Sequence, residues 1–500
     1  MNRTSLWEGT AADVTFAPLA QDLEVDVAVI GGGITGITAA QLLSAAGKTV
    51  AVLEAHRIGR GTTGHSTGNL HVPLDEHLST VRQKWGDDVL RVVCQSRQQM
   101  VEHIERTVQE LGIDCGFARR PHYIFPTEES QVATMEKEHD AAVAGGLAAT
   151  ITTDVPMPMA IGRALRVDRQ AQFQPLSYVA LLARALQSDR CRIYEQTKVE
   201  DYDTKTNTVT THGGRVRTGK IILATHTPKG FHVVQTELGP YREYGIAVRL
   251  ADDAYPDGIF WTLEQPVHHS IRSFESNVAK YLIVVGEKHK VGQHENAEDY
   301  YGKLEAYARQ HFNVASVAFT WSGQHYKPAD ALPFIGHSGT HADLYLATGF
   351  STSGLLYGPV AARIITDDIL GRPNEWAETY RANRFTPVKS AKDFAKENVD
   401  VATRYFEYLR RADVDAVADV PPGEGCIAKI GGERVALHRA ADGSWTALSP
   451  VCPHMGCLVH WNTFEKSWDC PCHGSRFAVD GEVIEGPALA GLKRKEVREE

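Results

Sequence analysis

The chain has 500 residues, too many for one hydrophobic core; its length suits about three domain-sized units, or two if one is large. Its 43% hydrophobic and 23% charged content is that of a soluble globular chain and excludes global disorder. A net charge of -10 without any basic run leaves no electrostatic footprint for nucleic acid.

Taken in chain order, residues 1–21 are polar and lack the apolar stretch of a secretory signal. No later apolar run approaches the roughly 18 residues that suggest a membrane span, so a cytoplasmic location is expected. Residues 25–30 are a β-branched run of buried-strand type. A glycine-rich turn follows, then residues 34–46 with helical spacing, closed by Gly47 as a C-cap. Residues 49–53 form a second apolar strand, which completes a strand–turn–helix–strand unit. From about 85 to 145 the pattern is helical and charged, and strand-like pieces recur at 191–223, 244–250 and 281–286. Residues 344–347 read as a short buried strand and 349–371 as a loop entering a helix. Residues 391–411 read as one amphipathic helix with Val401, Tyr405, Phe406 and Leu409 on a shared face. Residues 412–425 are small, acidic and rich in Pro and Gly, and mark a linker; residues 426–500 then change to short strands with Gly turns, a small all-β module.

Gly31-Gly32-Gly33-Ile34-Thr35-Gly36 fits G-x-G-x-x-G directly between a strand and a helix. Gly31 allows the tight turn, Gly33 lets the backbone approach a pyrophosphate, and Gly36 permits close helix–strand packing. The helix N-terminus then offers free N–H groups to phosphate. Glu54, 18 residues past Gly36, stands where a carboxylate accepts ribose hydroxyls. A carboxylate there disfavours a 2′-phosphate.

Residues 54–59 (EAHRIG) followed by 61–68 (GTTGHSTG) resemble the FAD-binding opening of the D-amino-acid oxidase/glycine oxidase superfamily. Residues 221–225 (IILAT), 330–336 (DALPFIG) and 349–354 (GFSTSG) resemble three further segments of that family, in the same order. The resemblance covers about 24–400. It implies FAD, held at Gly31, Gly33, Thr35, Gly36, Glu54, Arg57, Thr62, Thr63, His65, Ser66, Val199, Ala224, Gly349, Ser353, Gly354 and Leu355. It also implies an α/β, Rossmann-like FAD part at about 24–80, 160–235 and 325–400, and an α+β substrate part at about 85–160 and 236–324, together filling 1–411. His65 resembles a histidine that bonds covalently to flavin in relatives acting on dimethylglycine and sarcosine; an ordinary polar contact is the alternative. In glycine-oxidase relatives an Arg five residues before the signature Asp clamps the substrate carboxylate through its bidentate fork. That position is His325, which lacks the fork, so an amine or a differently shaped substrate gains weight over an α-amino acid. Tyr244 and Tyr326 are further candidates for the substrate side.

Five of the eight cysteines, Cys426, Cys452, Cys457, Cys470 and Cys472, lie in the last 75 residues with histidines between them. Cys452-x-His454 and Cys470-x-x-His473 are soft and borderline donors on two near-copied loops. The set suits a [2Fe–2S] cluster with two Cys on one iron and two His on the other, and a Cys₂His₂ zinc site is the chemical competitor. The segment resembles the Rieske domain of cytochrome bc and b6f complexes. That resemblance implies a Cys457–Cys472 disulfide, and a hydrogen bond from Ser475 to the cluster. Phe477 stands where the family has a Tyr donor, which implies a lower reduction potential.

A flavin takes two electrons as a hydride and a [2Fe–2S] cluster carries one at a time. The leading expectation is a dehydrogenase that oxidises a C–N bond of an amine or amino-acid-like substrate and passes electrons through the cluster to an external ferredoxin, cytochrome or quinone. The first alternative reverses the current, with a ferredoxin feeding the flavin for reduction or hydroxylation. The second is an electron carrier or redox sensor.

Overall fold

The computed structural model describes residues 4–264, 268–293, 299–339, 341–384, 386, 420–430 and 432–496. The helix expected at 391–411 and the linker residues 412–419 lie outside the described residues.

The N-terminal signal builds the first sheet. The apolar run Leu23–Ile30 pairs in parallel with Val50–Leu53 on one side and Gly214–Leu223 on the other. Cys191–Tyr194 and Leu344–Thr348 extend the parallel register outward. Strands buried on both faces need helices as covers, and Ile34–Ala45 and Gly354–Ile369 supply one layer. Gly47, at φ 92°, closes the first helix in a conformation that favours glycine.

The second sheet has eight strands in the order Val314–Pro328, Leu238–Leu250, Lys280–Lys290, Ser270–Glu275, Ile259–Thr262, His122–Phe125, Ala164–Val167, Ala149–Thr152. Its strands reach 15 residues, and Val314–Pro328 pairs with Leu238–Leu250 along almost its whole length. The charged helical stretch resolves into Asp87–Leu111 and Val132–Ala144, with the strand His122–Phe125 between them. No helix among the described residues is long and apolar enough to cross a membrane.

Residues 420–496 fold into two small antiparallel sheets, Gly425–Ile430/Glu433–Arg439/Trp445–Leu448 and His460–Asn462/Ser467–Asp469/Arg476–Phe477/Val483–Glu485. Their shared core includes Trp468, Phe477 and the four cysteines 452, 457, 470 and 472. A core this small is reinforced by the Cys457–Cys472 disulfide.

Candidate redox centres and the seam between them

The glycine turn fits a dinucleotide for steric reasons that are explicit. Gly31 has φ 109°, and a Cβ there would sit 2.5 Å from the Ala224 carbonyl oxygen. A Cβ on Gly36 would lie 2.0 Å from the Gly31 oxygen, so helix and strand meet only through glycine. At Gly33 only Thr63 Oγ1 lies close, 3.3 Å from such a Cβ. No side chain caps the helix that starts at Ile34 through Gly33, although Ile34 N–H donates to Thr63 Oγ1 at 3.1 Å. That leaves an N-terminal turn suited to phosphate, with Thr35 and Gly36 inside it. Glu54 accepts from Gly32 N–H at 2.7 Å and His56 N–H at 2.8 Å; burial pushes its carboxyl upward against these bonds.

The neighbouring loop is held from several sides. Ser66 Oγ donates to the Thr63 carbonyl at 2.8 Å, and His65 Nδ1 lies 2.9 Å from the Gly61 carbonyl oxygen. Thr62 Oγ1 is 3.2 Å from His226 Nδ1. Arg57 pairs with Asp13 at 2.6 Å, so its guanidinium is already engaged. Val199 begins an outer strand paired at Thr211. Gly349 has φ 75°; Ser353 keeps a buried Oγ without a partner just before Gly354, and Leu355 is buried. An orphaned hydroxyl at a helix start is where a polar ligand edge would be received.

The long strand Val314–Pro328 shows two chemistries on its two faces, as strand alternation requires. Trp321 Nε1 donates to the His65 carbonyl at 3.1 Å, and Gly323 comes so close that a Cβ would lie 3.2 Å from the same oxygen. His325 continues this face. It is 4% exposed, lies parallel to Tyr241 with ring centroids 5.9 Å apart, and its Nε2 has no partner. Burial, reinforced by Lys288, drives its imidazole far below the usual value, so it is neutral. Beside it stands Asp75, bonded to Lys288 at 2.6 Å; the same two charges act on Glu243, whose buried carboxyl is pushed up to about 8 by desolvation.

The other face looks toward the C-terminal module. Gln324 Nε2 donates to the Gly474 carbonyl at 2.8 Å and to Tyr326 Oη at 2.9 Å. The buried Tyr326 hydroxyl thus adjoins the second Cys/His loop. Tyr244 bonds His289 at 3.0 Å and stacks on Tyr300 with centroids 4.7 Å apart.

The two Cys/His loops are geometric copies. Cys452 N–H donates to Cys457 O at 2.8 Å and Gly456 N–H to Cys452 O at 3.0 Å; Cys470 N–H donates to Ser475 O at 2.8 Å and Gly474 N–H to Cys470 O at 3.1 Å. Gly456 and Gly474 turn the loops at φ 80° and 73°. The Sγ atoms of Cys457, Cys470 and Cys472 lie within 4.8 Å of one another, but 457 and 472 are bonded to each other and offer no thiolate. The free pair is Cys452 and Cys470, both buried. A bond between these two thiols, followed by donors that include Ser475, draws Cys452 down to about 7. His454 and His473 stand together with ring centroids 5.1 Å apart. His454 Nε2 meets Gln235 Oε1 at 3.1 Å, so its Nδ1 is the nitrogen left for a metal. Two thiols and two imidazoles on facing loops fit a [2Fe–2S] cluster, with Cys452, Cys470, His454 and His473 as the residues that would hold it.

The seam is polar and buried. Arg242 pairs with Glu465, which also receives Ser322 and Arg476. Glu485 meets His226 Nδ1 at 3.1 Å. Burial alone would raise both carboxyls; the arginines overcome it at Glu465, and His226 with the arginines brings Glu485 down to about 2. Lys229 donates to the Gly486 carbonyl and Gly230 N–H to the Pro487 carbonyl. Sequence reasoning missed Gln235, Arg242, Gln324 and Glu465. A charged residue inside an apolar strand pattern was the one available signal, at Arg242.

This architecture is that of an FAD oxidoreductase joined to an iron–sulfur module, and comparison with known proteins bears it out. The FAD dependent oxidoreductase (DAO) family matches residues 26–368 and the Rieske [2Fe-2S] domain matches 410–496. The chain belongs to the DAO family of FAD-dependent oxidoreductases and carries a C-terminal Rieske domain. It is 31% identical over 494 residues, 98% of this chain and 96% of the relative, to a Bacillus subtilis (strain 168) protein described as a Rieske 2Fe-2S iron-sulfur protein, YhfW. Over 85 residues, 17% of this chain and 46% of the relative, it is 40% identical to the cytochrome b6-f complex iron-sulfur subunit of Chlorobaculum tepidum. Glycine oxidase from Geobacillus kaustophilus shares its fold, with TM-score 0.61 and 18% identity over 73% of this chain and all of that one. The family binds FAD and the Rieske domain a [2Fe–2S] cluster.

Proposed function

We propose that the protein is a dehydrogenase that oxidises a C–N bond of an amine or amino-acid-like substrate and passes the electrons through the Rieske cluster to an external ferredoxin, cytochrome or quinone. The observation that carries this reading is the bond from Gln324 to the buried His473 loop, made by the strand that also closes over the His65 loop, with His454 of the other loop held by Gln235. The bound cofactors supply hydride acceptance at the flavin and one-electron carriage at the cluster.

The chain's residues supply placement. The 31–36 turn and Glu54 anchor the nucleotide, while Trp321 and Gly323 press on the His65 loop. His325 is neutral and carries no fixed charge for a carboxylate, which favours an amine. The imine product hydrolyses in water. An anaerobic screen of secondary amines, tertiary amines and betaine-like compounds tests the reading. Bleaching of the flavin band followed by reduction of the cluster is expected. Reduction by dithionite or a ferredoxin alone, with no response to any amine, contradicts it.

A further inference from the structure

We propose that Gln324 is the positioning residue that joins the two redox centres, holding the cluster loop against the flavin-side sheet so that electrons cross at strand Val314–Pro328 without motion of the Rieske domain. This deepens the function proposed above and rests on it.

Three observations converge. The first is alternation: Trp321 and Gly323 touch the His65 loop, whereas Gln324, one residue on, reaches the opposite face and bonds Gly474, the residue after His473. One strand is therefore in contact with the His65 loop on one face and the His473 loop on the other. Both neighbours of Nε2, the Gly474 carbonyl and the Tyr326 hydroxyl, can accept, which fixes the amide with its donor end toward the cluster loop. The second is close approach from both sides. A Cβ on Gly474 would lie 2.7 Å from Pro240 Cβ and 2.8 Å from Gln324 Nε2; a Cβ on Gly292 would lie 2.8 Å from Pro471 N and 3.0 Å from the Asp469 carbonyl oxygen. Both glycines have positive φ, so each side of the seam has a backbone that only glycine brings this near. The third is the buried pairing of Arg242 with Glu465 beside Gln324, which opposes separation of the domains.

The electron count closes. Oxidation of the amine to an imine releases two electrons and two protons. The bound flavin would accept both electrons and the cluster, held by Cys452, Cys470, His454 and His473, would carry them one at a time to an external one-electron acceptor, while the protons go to water. A bonded contact at Gln324 couples the centres more strongly than a gap.

The test is anaerobic photoreduction of holoprotein with a deazaflavin, followed in time at the flavin and cluster bands. Gln324→Met keeps the length and removes the donor. Transfer from flavin to cluster is expected to slow severalfold, because the His473 loop is no longer tied to the strand. Both midpoint potentials and the EPR spectrum of the reduced cluster should stay unchanged, and Gln324→His, which keeps an N–H donor, should recover part of the rate. An unchanged rate in Gln324→Met overturns the inference, and so does a loss accompanied by a shifted potential or an altered EPR spectrum, which would mean general disturbance. If wild-type flavin never reduces the cluster, the function proposed above fails and this inference falls with it.

Discussion

Ser475 and Glu243 are single side chains with measurable consequences. The Ser475 hydroxyl is buried and donates to the Cys452 thiol. Donors to a cluster sulfur stabilise its reduced, more negative state, so Ser475→Ala should lower the cluster midpoint potential in a redox titration. Glu243 titrates near 8 in the folded chain against an ordinary 4.5, chiefly through desolvation. Between those values the unfolded chain has lost its proton and the folded chain keeps it, so stability falls as pH rises across the window. Glu243→Gln removes this penalty. Its melting temperature should exceed that of wild type by more at about pH 8 than at about pH 5.

At the scale of elements, the seam behaves as a buried ion network. Arg242→Met leaves Glu465 buried with one partner fewer, at a cost of about 3–5 kcal/mol. It should expose the seam to limited proteolysis, while Lys280→Met, which breaks an exposed pair with Asp253, should not. Glu465 and Glu485 are both held below 4.5 in the folded state. Their contribution is complete above about pH 4.5 and is lost as pH falls from there toward the folded values, so acid should open the seam before it melts the parallel sheet. Hydrogen exchange of residues 469–476 against 23–30 would read this order.

The same scale separates what the sequence disclosed from what it hid. The turn 31–36 and the two Cys/His loops each lie within a few consecutive residues, so residue type and spacing were enough to single them out as candidates. The strand Val314–Pro328 was not read, because its two faces serve two different neighbours and no single alternation stands out. Tyr326 read as a substrate-side residue, while the structure sets its hydroxyl beside Gly474. The Arg242–Glu465 pair spans 223 residues, beyond any local pattern.

For the whole molecule, the proposed function makes the fused domains one conductor: a two-electron site and a one-electron site on either side of a buried seam. An amine found in the screen, supplied at one equivalent per flavin without oxygen and frozen at successive times, gives the most direct measurement. The account predicts that the EPR signal of the reduced Rieske cluster grows as the flavin band recovers. A flavin that bleaches and stays bleached beside a cluster that remains EPR-silent would contradict it.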